Sequence, residues 1–127
     1  MRLAHEILTL RTKHPFVIAR GGSAEYPTVW VRLTDKDGVE GWGEAAPSTY
    51  YAETPQTVIA ALETYAPVLA DADPFAIEDI EAALLLALHG NPSARAAISS
   101  ALHDLAGKRL GVPVWKMWGL NPAKAPR

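Results

Sequence analysis

The apolar positions of this chain change their period once, near residue 50. Before that point they follow a two-residue rhythm. Thr28 to Leu33 puts Val29, Val31 and Leu33 on one face and Trp30 and Arg32 on the other, as a half-buried strand does. Asp35-Lys36-Asp37-Gly38 is a turn, with glycine free to adopt positive φ, and Val39 to Ala45 returns, so residues 28–45 form an antiparallel hairpin. Trp30 and Trp42 fall on its outer face, where they can meet across the strands. Leu3 to Leu10 is a further strand, rich in Leu, Ile and Thr though imperfectly alternating. Between it and the hairpin, Lys13 to Pro27 contains Gly21-Gly22 and two prolines, which predicts a mobile loop.

After residue 50 the apolar spacing becomes helical. Thr54-Pro55, Asp73-Pro74 and Asn91-Pro92 share one grammar, a capping side chain followed by a proline at the first helical position. The first helix carries Val58, Ile59, Leu62, Tyr65 and Leu69 on one stripe; the second carries Ile77, Ile80, Leu84 and Leu88, with Gly90 available to end it. The third, Pro92 to about Leu110, is lined by Ala94, Ala97, Ala101, Ala106 and Gly107 beside Ile98, Leu102 and Leu105. Small side chains let a helix backbone approach its neighbours, which places this helix at the centre. Gly111 and Pro113 close it, and Val114 to Trp118 makes a last short turn. Strands first and helices after give an α+β fold: an antiparallel three-stranded sheet followed by a helical bundle. Residues 1–120 form one domain, and 121–127 read as the start of a linker.

Composition removes several classes of function. The chain has 127 residues and a net charge of −2, with no basic block of the kind that binds nucleic acid or anionic membrane. There is no cysteine, hence no disulfide framework and no thiolate chemistry. Arg2, His5 and Glu6 interrupt the apolar N-terminus, and the run Ala82–Leu88 is far shorter than the roughly 20 residues that span a bilayer. A cytoplasmic protein without nucleic-acid or membrane partners is expected.

The most informative segment is Gly41-Trp42-Gly43-Glu44-Ala45-Ala46-Pro47, followed by Tyr51-Ala52-Glu53-Thr54. Glycines flanking a tryptophan in a strand imply a kink or a close backbone approach, and proline then ends the ladder. The loop beyond is held by a strand on one side and a helix on the other, a position suited to function. Glu44 and Glu53 flank it, raising paired-carboxylate chemistry. The plainer alternatives are a hydrogen-bond acceptor at the sheet end for Glu44 and, for Glu53, a favourable charge before a helix. Asp35-Lys36-Asp37-Gly38 has the opening rhythm of a calcium loop but lacks the remaining oxygen ligands, so the hairpin turn is preferred. His5, His14, His89 and His103 lack mutual metal-ligand spacing; His103 beside Asp104 and Ser99 or Ser100 hints at a triad, but adjacent helical positions point different ways. Arg20, before Gly21-Gly22, suits bidentate capture of a carboxylate, with an ordinary surface arginine as the alternative.

Taken in order, the strand, the segment His14-Pro15-Phe16-Val17-Ile18-Ala19-Arg20-Gly21, the hairpin and Gly41-Trp42-Gly43-Glu44-Ala45 resemble the N-terminal capping domain of the enolase superfamily. The third helix, from Ala94-Arg95-Ala96-Ala97-Ile98 through Ala101-Leu102-His103-Asp104-Leu105-Ala106-Gly107-Lys108, is similar to the family segment preceding the barrel. So is the tail Gly111-Val112-Pro113-Val114-Trp115 through Trp118-Gly119-Leu120. The likeness is to the muconate-lactonizing-enzyme subgroup, and within it to dipeptide epimerases acting on L-Ala-D/L-Glu.

The resemblance implies two loops closing over the mouth of a (β/α) barrel, here Phe16 to about Glu25 and Pro47 to Glu53. Arg20 would bind a substrate carboxylate, and Ile18, Tyr50 and Tyr51 would shape the pocket. The substrate would be a dipeptide or acylated amino acid, enclosed together with the barrel. In such enzymes barrel lysines move the α-proton and magnesium on three barrel carboxylates stabilises the enediolate. A barrel takes roughly 200 residues or more by itself, and this sequence stops at Arg127. The chain is therefore expected to carry no catalytic residue and no metal ligand, to be inactive alone, and to bind no magnesium itself. A cap without its barrel exposes apolar surface, so self-association through Trp115, Met117 and Trp118 is expected. N-succinylamino-acid racemase, o-succinylbenzoate synthase and muconate cycloisomerase remain open within the resemblance, as does a stand-alone binding module without catalysis.

Overall fold

A computed structural model describes residues 1–19 and 21–125. Three strands, β1 (Arg2–Ile18), β2 (Gly21–Thr34) and β3 (Glu40–Ala45), form one antiparallel sheet with β2 in the middle. Four helices follow: α1 (Pro55–Ala70), α2 (Ile77–Ala87), α3 (Pro92–Leu110) and the single turn α4 (Val114–Met117). The fold is α+β, as the period change predicts.

The first two strands are much longer than their sequence suggests. Most of the segment Lys13–Pro27, expected as a mobile loop, belongs instead to β1 (through Ile18) and β2 (from Gly21), where Phe16 faces Ser23, Val17 faces Gly22 and Ile18 faces Gly21. The register shifts between Arg11 and Phe16, and that irregularity accommodates Pro15. Pro27 lies where β2 has already lost its β3 neighbour, since that pairing begins at Val29 opposite Ala45, so a missing N–H is tolerated there. The result is a two-stranded ribbon projecting beyond the three-stranded sheet, with most of its side chains exposed.

The inner face of the sheet and the helices make the core. Val29, Val31, Leu33 and Ala45 meet Val58, Leu62, Tyr65 and Leu69 of α1, Ile80 and Leu84 of α2, and Ala97, Ile98, Ala101, Leu102 and Leu105 of α3. The central place of α3 comes from what is missing on both sides. A Cβ on Gly41 would stand 2.0 Å from the Ala101 carbonyl oxygen, and one on Gly43 would stand 2.0 Å from that of Ala97. Glycines in β3 and alanines in α3 thus let helix backbone rest directly on strand backbone. The same helix also covers the free edge of β3: Asp104 Oδ2 accepts from the Trp42 N–H (2.8 Å), and Lys108 Nζ donates to the Glu40 carbonyl (2.8 Å). Unpaired strand edges invite association, and here α3 occupies this one.

Two of the three expected caps are different from their sequence reading. Thr54 caps α1 in a full capping box with Thr57. Asp73 does not start α2: its Oδ1 accepts from the Phe75 N–H (3.0 Å) in a local turn, and the helix begins at Ile77. Asn91 precedes α3 in the left-handed region (φ 50°), which turns its side chain away from the first-turn amides; Nδ2 donates to the His89 carbonyl (3.4 Å) instead.

Candidate functional site

Two exposed pieces of chain carry the residues predicted to face a ligand. One is the end of the ribbon, where Phe16, Val17 and Ile18 are all exposed despite being apolar. Ile18 is the last residue of β1. Arg20, the predicted carboxylate ligand, lies outside the described residues.

The other piece is the turn after β3. Ser48 caps a short 3₁₀ helix, Thr49–Tyr51: its hydroxyl accepts from the Tyr50 N–H (3.3 Å), and its carbonyl accepts from both Tyr51 (2.9 Å) and Glu53 (3.1 Å). Ala52 takes the left-handed conformation (φ 59°) that lets the chain turn back toward α1. This compact geometry thrusts Tyr50 and Tyr51 outward, 64% and 71% exposed, with their rings edge to face at 4.8 Å. Two amphipathic rings standing together in water form a surface suited to a partly apolar ligand with polar ends. Tyr50 and Tyr51 are thus brought together, while Ile18 belongs to a separate element.

The two carboxylates flanking the turn do not share an environment. Glu44 is exposed on the outer face of β3, opposite Trp30 in the register. Glu53 is 5% exposed, and both its oxygens are bonded to Ser93 of α3: Oε1 to the backbone N–H (3.1 Å) and Oε2 to the hydroxyl (2.6 Å). The helix whose dipole Glu53 serves is therefore α3, forty positions away, rather than α1, which it precedes in sequence. Ser93 carries no local motif that would single it out. The only hint in the sequence is the small polar residue just after Asn91-Pro92.

The remaining polar clusters have structural partners. The outer sheet face holds Trp30 and Trp42 edge to face at 6.2 Å, as the alternation predicts, with Arg32 over the Trp42 ring at 5.5 Å and paired to Glu40 (3.0 Å). Asp104 faces Trp42 and Lys108 rather than His103, whose Nδ1 meets the Ser99 carbonyl at 2.8 Å, so the triad geometry does not arise. In the hairpin turn, Asp35 Oδ1 accepts from Asp37 and Val39 N–H groups (2.9 Å each), while Oδ2 faces Arg109 Nε (2.8 Å). Arg109 also pairs with Asp37; the guanidinium holds that carboxyl below its ordinary value, and Asp37 in turn raises Arg109. Both turn carboxylates are thus spent on an arginine. Among the described residues no three His, Cys, Asp or Glu side chains gather as a metal site.

Residues 4–119 match the family model described as the mandelate racemase / muconate lactonizing enzyme, N-terminal domain. The chain belongs to this family. As a member of it, the chain is 38% identical over 117 residues to the L-Ala-D/L-Glu epimerase of Bacteroides thetaiotaomicron, covering 92% of this chain and 30% of that enzyme. It is 34% identical over 115 residues to the o-succinylbenzoate synthase of Geobacillus stearothermophilus, covering 88% and 31%. Among solved structures, the dipeptide epimerase of Enterococcus faecalis V583, complexed with Mg and the dipeptide L-Leu-L-Tyr, superposes with a TM-score of 0.87 at 25% identity, covering 91% of this chain and 33% of that one. This mandelate racemase / muconate lactonizing enzyme domain thus spans about a third of the length of the relatives it matches. Among its described residues no helix is long and apolar enough to cross a membrane.

Proposed function

We propose that this chain is the substrate-specificity cap of a magnesium-dependent dipeptide epimerase acting on L-Ala-D/L-Glu type dipeptides. The observation that carries the reading is the 38% identity to an L-Ala-D/L-Glu epimerase across 92% of the chain. The exposed tyrosine pair and the apolar ribbon end support it, because they offer contact surface without catalytic groups. In this reading the cap binds and orients the dipeptide and excludes water, with Arg20 taking a carboxylate and Ile18, Tyr50 and Tyr51 lining the pocket. Magnesium and the groups that move the α-proton would come from outside residues 1–127, and the chain alone would not turn over substrate. Its place would be the cytoplasm.

The same scaffold serves other chemistry in relatives, including an N-succinyl-L-Arg/Lys racemase (31% identical) and a muconate cycloisomerase (34%). The test is a domain exchange. Residues 1–120 replace the corresponding segment of the B. thetaiotaomicron epimerase, and α-proton exchange into L-Ala-L-Glu and into N-succinyl amino acids is followed by NMR in D₂O. Preference for the dipeptide supports the proposal. A folded chimera that exchanges only the acylated amino acids overturns it, and turnover of L-Ala-L-Glu by the isolated chain overturns its inactivity.

A further inference from the structure

A buried carboxylate is out of place at the end of a surface turn. Glu53 closes the turn bearing Tyr50 and Tyr51, yet it is withdrawn from water, with both oxygens on Ser93. The Ser93 hydroxyl also lies 3.5 Å from the carbonyl of Ala46, at the other end of the same turn. The two ends of the turn therefore converge on one side chain in the first turn of α3.

The start of α3 supplies the reason. The first amides of a helix have no intrahelical acceptor. Asn91 stands at the cap position but makes no side-chain cap bond, and Pro92 has no N–H to satisfy. Ser93 is thus the first donor in need of a partner, and Glu53 takes it from a distant part of the chain. A negative charge at the positive end of the helix dipole strengthens the arrangement. Removing the carboxylate would strand a helix donor and release the turn at once.

We propose that Glu53 is a positioning residue: through Ser93 it locks the Tyr50–Tyr51 turn onto the first turn of α3. The internal Ser48 bonds give the turn its shape, and the Glu53–Ser93 link sets where that shape stands. Because α3 rests on the sheet through Gly41 and Gly43, the two rings are referenced to the rigid core. The consequence for ligand selection rests on the reading above that this turn faces substrate; the lock itself does not.

The test needs no ligand, so its failure is distinct from failure of the epimerase reading. The chain has no cysteine, so Thr49→Cys and Ser100→Cys, both at exposed positions, can carry spin labels for pulsed EPR distance measurement. A second labelled pair, Glu63→Cys and Ser100→Cys, reports α1 against α3. Glu53→Ala is expected to roughly double the width of the 49–100 distribution while leaving 63–100 unchanged, because local opening grows when buried bonds are lost. Glu53→Gln keeps both bonds, with its amide donating to the Ser93 oxygen, and is expected to retain the parent width. Ser93→Ala, a substitution a helix tolerates well, removes only the hydroxyl arm and should fall between. An unchanged 49–100 width in folded Glu53→Ala overturns the proposal. So does equal broadening of both label pairs, which is general loosening, or a Glu53→Gln variant as broad as Glu53→Ala.

Discussion

Gly43 in β3 and Ala97 in α3 are so close that a methyl group on the glycine would stand 2.0 Å from the alanine carbonyl oxygen. Backbone, not a flexible side chain, occupies that space, so neither partner can yield cheaply. Gly43→Ala, and Gly41→Ala at its twin contact with Ala101, should each destabilise the domain by about 3 kcal/mol or more through overpacking. Gly38→Ala is the comparison: its Cβ would meet open space, and only its positive φ (83°) resists, at about 1 kcal/mol. Urea unfolding midpoints give the comparison directly. Gly43→Ala costing no more than Gly38→Ala would contradict the close approach of helix and strand.

The Asp37–Arg109 pair predicts a pH dependence with a definite sign. Arg109 lowers the Asp37 carboxyl from its ordinary value of 3.8 in the folded chain, chiefly by hydrogen bonding and then by charge. The unfolded chain therefore binds the proton first as the pH falls. The stabilisation is fully present above about pH 4 and is lost as the pH drops through the lower folded value. Unfolding midpoints measured from pH 6 to pH 2.5 should show this acid-side loss, and Asp37→Asn should lack that component. An Asp37→Asn curve parallel to the parent's throughout would show that the pair contributes nothing to it.

How far the sequence discloses this molecule depends on the distance between interacting residues. The hairpin 28–45 and the central helix were legible because alternation and a run of alanines are local signals that the core then uses. Gly41 and Gly43 were legible as a close approach, though not what they approach. The ribbon was not legible: glycines and prolines between Lys13 and Pro27 argue for a loop locally, while cross-strand pairing and a register shift absorb them. Asn91-Pro92 has the grammar of a cap, but a left-handed backbone turns the side chain away and a glutamate from another segment does the work. The connection between β3 and α1 that carries Tyr50 and Tyr51 was legible, because Pro47 ends the strand and Thr54-Pro55 starts the helix. The Glu53–Ser93 and Asp104–Trp42 bonds, joining residues 40 and 62 positions apart, could not.

Tyr50 and Tyr51 should matter to ligands and hardly at all to folding. Both rings are largely exposed, so Tyr50→Ala and Tyr51→Ala should change stability by no more than about 0.5 kcal/mol. Tyr65 is the contrast: fully buried in α1, it donates to the Leu88 carbonyl at 3.0 Å. Tyr65→Ala should cost about 3–5 kcal/mol by leaving a cavity, and Tyr65→Phe about 1 kcal/mol for the bond. Carried into the chimera, Tyr51→Ala should raise KM for the dipeptide by about tenfold with the fold intact. An unchanged KM would remove Tyr51 from the proposed pocket.

Near the C-terminus, Leu110, Trp115, Trp118 and Leu120 are large apolar residues exposed to water, and His103 stands edge-on to Trp118 at 5.2 Å without covering it. Trp115 and Trp118 lie on and just after α4, whose four residues bury no side chain fully. Exposed tryptophans this close in sequence favour contact with any matching apolar surface, including that of another copy. Sedimentation velocity of the isolated chain should therefore show a concentration-dependent increase in mean mass, and Trp115→Ser with Trp118→Ser should abolish it while leaving the unfolding midpoint nearly unchanged. Salt distinguishes the cause: an apolar contact strengthens in sulfate, whereas one held by ion pairs weakens. A chain that sediments as a single monomer across the whole concentration range would show that this surface does not associate by itself.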